Sequence, residues 1–92
     1  MKRYAVEAEG LLELEGLRKQ IDEIDREILS LLFHRQETAV SIGDRKKTLG
    51  LDRVDPLREK GILQSLTAQE NALLKGSAIR SIFSEIISAG RE

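Results

Sequence analysis

From Leu14 onward, the apolar residues Leu14, Leu17, Ile21, Ile24, Ile28, Leu31/Leu32, Ala39 and Ile42 recur in steps of threes and fours, uninterrupted by proline. That is the period of one face of an α-helix. Gly43 is the only glycine between Leu17 and Leu49, and the glycine of "TLGLD" is the expected stop. The spacing predicts one helix from about residue 13 to 47, roughly 50 Å long at 1.5 Å per residue. A compact chain of 92 residues has a radius of gyration of about 12 Å, so such a helix would project well beyond it. Its apolar stripe runs the whole length. The residues that follow are too few to cover it, so a second chain is expected.

The rest of the chain reads as two shorter helices. Asp55 is a good N-cap and Pro56 suits the first helical position of "VDPLREKGILQSL". Leu57, Ile62, Leu63 and Leu66 give this helix its apolar side. A turn is expected near Lys75–Gly76, then a third helix capped by Ser77, with Ile79, Ile82, Phe83, Ile86 and Ile87 facing inward. Residues 1–12 show no clear period and contain Gly10; they read as a flexible lead-in to one domain at 13–92. The expected class is all-α, with one long, one short and one medium helix per chain. Aromatic content of 3% and charged content of 34% suit that class better than a sheet.

Bulk properties remove several function classes. With no cysteine, disulfide frameworks, thiol catalysis and thiolate metal sites are excluded. His34 is the only histidine, so no histidine-rich metal site is expected, and a serine–histidine–acid triad has no nucleophile elbow to use. Net charge is −1, and the basic "GDRKK" lacks aromatic stacking partners, so no nucleic-acid partner is expected. No signal peptide or membrane span is visible, and a cytoplasmic location is the expectation.

The cations of the long helix raise the functional question. Arg35 and Lys46 are eleven residues apart, only about 20° out of phase, and lie near the stripe that should be buried. Arg18 sits at the margin of the same stripe. In a plain antiparallel coiled coil these side chains would snorkel to water. In an antiparallel dimer, Arg18 of one chain could instead lie level with Arg35 or Lys46 of the other. Three cations gathered near a core would require an anionic ligand. Arginine suits bidentate carboxylate binding, and lysine acts as a compact point charge. Asp55 and Glu59 share a face of the second helix, with Arg58 beside them, although a cap and a helix-dipole carboxylate explain both acids on their own.

The segments "LEGLRKQIDEIDREILSLLFHRQETAVSIGDRKK", "VDPLREKGIL" and "IRSIFSEIISAGRE" together resemble the all-helical AroQ-class chorismate mutases over residues 11–91. The carrying motifs are L-R-x-x-I-D-x-I-D, L-x-x-R, I-G-x-x-K, D-x-x-R-E and I-F-x-x-I-I-S-A, in that order. The resemblance implies an intertwined homodimer that converts chorismate to prephenate in phenylalanine and tyrosine biosynthesis, without cofactor or metal. It assigns Arg18 to the partner chain's site and Arg35 to a substrate carboxylate of its own chain. Lys46 would contact a carboxylate and the ether oxygen of the breaking bond. Asp55 and Glu59 would lie near the ring hydroxyl, Glu59 the closer, with Arg58 supporting the anion end.

Two departures from the family pattern stand out. Gly90 occupies a substrate-binding position that is usually serine, and the family's glutamine or glutamate at the ether oxygen would fall two residues beyond Glu92. These suggest either the mutase domain of a bifunctional enzyme, such as a fusion with prephenate dehydratase, or a weakened mutase. The alternatives are an isochorismate pyruvate-lyase and a dimerisation or regulatory module.

Overall fold

The computed structural model describes residues 2–90, with side chains from Val6 onward. Met1, Arg91 and Glu92, and with them the expected domain end, lie outside the described residues. Three helices follow in order: α1 at Lys2–Leu49, α2 at Pro56–Thr67 and α3 at Gly76–Ala89. No helix among the described residues is long and apolar enough to cross a membrane.

The chain divides into two compact units, Met1–Phe33 and His34–Glu92. Among the described residues the first unit is one stretch of α1. This helix begins at Lys2, not near residue 13. The segment "KRYAVEAEGLLE" is rich in alanine, glutamate and leucine, and one glycine costs only about 1 kcal/mol, too little to stop a helix of good formers. Leu14, Leu17, Ile21, Ile24 and Ile28 are all exposed, Ile21 by 56%. A single helix has nothing of its own on which to bury such a stripe.

The second unit holds the end of α1 with α2 and α3, which pack on one another. Its buried apolar residues are Ala39, Ile79 and Ile87. Ile62, Leu63, Leu66, Phe83 and Ile86 are half-buried, as their spacing predicts. Leu57 and Ile82 are not: they are 83% and 49% exposed. Both satisfy a helical period, but a short helix has a wider apolar arc than its neighbour covers.

The end of α1 is a Schellman motif. Gly50 takes φ 69°, its N–H donates to Lys47 O at 3.2 Å, and Leu51 N–H donates to Lys46 O at 2.8 Å. The helix therefore runs to Leu49, two residues past the expected end, and the glycine of "TLGLD" is its stop. A side chain in this left-handed conformation is strained. Gly50→Ala is expected to lower unfolding free energy by about 1 kcal/mol, measured as a reduced urea midpoint at unchanged slope.

At α2 the expected cap is present. Asp55 Oδ1 accepts from Arg58 N–H at 3.0 Å, and Pro56 occupies the first turn. At α3 the expected cap is not. Lys75 is the N-cap, without a side-chain hydrogen bond, and Ser77 already lies inside the helix. The Glu70 carboxylate serves instead, accepting from Gly76 N–H at 2.8 Å. An anion there also meets the positive end of the helix dipole. Asn71 Oδ1 shapes the intervening turn by accepting from Leu73 and Leu74 N–H at 2.8 and 2.9 Å.

Candidate functional site

The last turns of α1 present Gln36, Ala39, Gly43 and Lys46 along one helical face, at spacings of three, four and three. The middle two are small. Open space stands where a Gly43 side chain would be: apart from its chain neighbours and the adjacent α1 backbone, no heavy atom lies within 4 Å. This absence of bulk helps shape a cleft of about 510 Å³, within the range of small-ligand sites. The far wall is Ala89 and Gly90, from the end of α3, and the chain after α1 adds Leu51 and Arg53.

The lining is cation-rich. Among the described residues that line it, Lys46, Lys47 and Arg53 contribute positive charge against Asp44 alone. Such an excess in a partly enclosed cleft favours an anionic occupant, because the cleft walls weaken solvent screening. Lys46 is half-buried, and its Nζ donates to Arg53 O at 3.1 Å. The Schellman turn makes this contact possible by directing residues 51–53 back past the end of α1. The ammonium is thus held by a neutral carbonyl, and its charge is not cancelled by that bond.

The residues singled out from the sequence separate into three groups. Lys46 and Gly90 line the cleft. Arg35, Asp55, Arg58 and Glu59 belong to the same unit but do not line it. Arg35 is half-buried, with Nη1 shielded from solvent. The Asp55 carboxylate is engaged as the α2 cap, Glu59 is half-buried in the first turn of α2, and Arg58 is exposed. Arg18 is exposed on the first unit.

Gln36, Gly43 and Arg53 were not among the expected site residues. The spacing of Gln36 and Gly43 relative to Lys46 was a usable signal. Arg53 gave none, because its carbonyl makes the contact. His34 is exposed, and Thr38 Oγ1, one turn away, donates to the His34 carbonyl at 3.1 Å, a back-bond common for a mid-helix hydroxyl. Among the described residues, no group of three or more His, Cys, Asp or Glu stands together as a metal site.

Residues 17–92 match the family model described as chorismate mutase type II. The chain is 40% identical over 81 residues to the bifunctional chorismate mutase/prephenate dehydratase of Aquifex aeolicus, covering 84% of this chain and 22% of that protein. It is 44% identical over 50 residues to a chorismate mutase of Methanocaldococcus jannaschii, covering 54% of this chain and 50% of that one. It thus spans half or less of these curated relatives. The fold is similar to the chorismate mutase of Thermus thermophilus in two forms. Form II gives a TM-score of 0.81 at 38% identity, covering 85% of this chain and 89% of that one. Form I gives 0.82 at 38% identity, covering 85% and 98%.

Proposed function

The chain belongs to the chorismate mutase type II family, and we propose that it converts chorismate to prephenate in a site shared between two copies of itself. The observation that carries this reading is the cation-rich cleft around Lys46, set beside the family match. The reaction is an intramolecular [3,3] rearrangement: one C–O bond breaks as one C–C bond forms. It needs no nucleophile and no obligatory proton transfer. What it needs is a flexible dianion folded into a compact chair.

Clamping both carboxylates selects that conformer, a positioning effect. Arg35 of one chain and Arg18 of the partner are the proposed clamps, since a guanidinium can hold a carboxylate through two hydrogen bonds. Negative charge grows on the ether oxygen as its bond lengthens. Lys46 is the proposed group at that oxygen, where a fixed cation favours the transition state over the ground state. Glu59 and Asp55 are assigned to the hydroxyl end of the substrate, with Asp55 also capping α2. Arg58 is assigned to support the anion end.

The second copy is argued from the first unit. Its exposed stripe from Leu14 to Ile28 is regular, long and apolar, and a second copy would cover it. Purified protein incubated with chorismate is the test. Loss of chorismate absorbance with formation of prephenate supports the proposal. Intact chorismate, together with pyruvate released from isochorismate, would overturn it in favour of a lyase.

A further inference from the structure

Gln36 and Gly90 are 54 positions apart in sequence and meet at one wall of the cleft. Gln36 Nε2 donates to Ala89 O at 3.0 Å, which ties the end of α3 to α1. That bond fixes the orientation of the carboxamide, since only its nitrogen can donate to a carbonyl. The oxygen then falls where a Cβ at residue 90 would stand, and any side chain there would collide with Gln36 Oε1. Gly90 is buried and has φ −138°, an extended conformation open to other residues. Its backbone therefore does not demand glycine. The Gln36 carboxamide takes up that space, and a side chain at residue 90 would have to displace it.

Among the described residues lining the cleft, Gln36 is also the only uncharged side chain with a hydrogen-bonding group. One N–H is committed to Ala89, which leaves a second N–H for a ligand. We propose that Gln36 is a substrate-binding residue of this cleft, admitted by the absence of a side chain at Gly90, and that its second N–H donates to a carboxylate of the substrate. The ligand half of this inference rests on the mutase reading. The coupling between Gln36 and Gly90 does not.

The coupling is read by thermal unfolding of four proteins: wild type, Gly90→Ala, Gln36→Ala and the double variant. Gly90→Ala is expected to lower the melting temperature by roughly 4 °C when Gln36 is present, because it displaces the carboxamide and breaks its bond to Ala89. In the Gln36→Ala background the same change is expected to be neutral or slightly stabilising, as glycine-to-alanine changes are where backbone and space permit. Additive shifts overturn the coupling.

Substrate contact is read by chorismate kinetics. Gln36→Leu is expected to raise KM about 3- to 10-fold, the range for one lost neutral hydrogen bond, with kcat within about 2-fold. Gln36→Glu keeps the side-chain size but, like Gln36→Leu, loses the donor to Ala89 O; it also places an anion against a dianion, so its KM is expected to rise beyond that of Gln36→Leu, with the excess reduced by added salt. A purely structural role predicts neither the KM–kcat split nor the salt-sensitive excess. Unchanged KM in both variants overturns the contact. If wild type itself does not consume chorismate, the mutase reading and the contact fall together, and the unfolding cycle alone decides the coupling.

Discussion

Lys46→Ala is expected to lower kcat for chorismate about 10²- to 10³-fold, the usual cost of removing one group that stabilises charge developing in a transition state. The expectation follows from how little else the reaction asks of a protein. With no bond made to the enzyme, acceleration comes from holding the reactive conformer and from electrostatics at the breaking C–O bond. Carboxylate clamps act on ground state and transition state alike; a cation at the ether oxygen acts more strongly on the transition state. KM should therefore change less than kcat.

Structural damage should be small. Lys46 lies in the last turns of a 48-residue helix, alanine is the best helix former, and the lost contact is one exposed hydrogen bond to Arg53 O. Circular dichroism should be unchanged while turnover collapses. Near-normal kcat in Lys46→Ala would remove this residue from the chemistry and move the site elsewhere.

The second large effect is complementation. Arg18→Ala and Lys46→Ala should each be nearly inactive alone. If Arg18 of one chain completes the site of the other, a mixed dimer has both lesions in one site and none in the other. Unfolding the two variants together and refolding them at equal concentration gives about half mixed dimers, hence about one quarter of wild-type activity. A mixture no more active than its components would show that Arg18 and Lys46 act within one chain, or that Arg18 has no part in the site. Equilibrium sedimentation of wild type gives the companion measurement: a stable monomer would end the shared-site proposal.

How far the sequence could be read varied along the chain, for physical reasons. The Asp55–Pro56 start of α2 and the Gly50 stop of α1 were legible because each is a contact within one or two turns. The α3 cap was misplaced. Ser77 has the right side chain in about the right place, but Glu70 reaches Gly76 across a turn built by Asn71, and spacing alone does not encode such a turn. Leu57 and Ile82 keep the helical period yet remain exposed, because period marks a face without saying how much of it a neighbour covers. The helical stretch before residue 13 lacks periodicity and is made instead by residues that favour helix individually.

The candidate site divides in the same way. That Lys46 lies near the end of a long helix, on the same face as Gly43, follows from sequence order and helical geometry. That its ammonium rests on Arg53 O, or that Gln36 occupies the side-chain space of Gly90, depends on how α1, the turn after it and α3 come together. By itself the sequence determined the all-helical class, the length of the apolar stripe and the inventory of cations, because these follow from residue type and a fixed rise per residue. Only the tertiary structure decided which of those residues share a cleft, since contacts between residues 54 positions apart are set by packing, and no local propensity reaches that far.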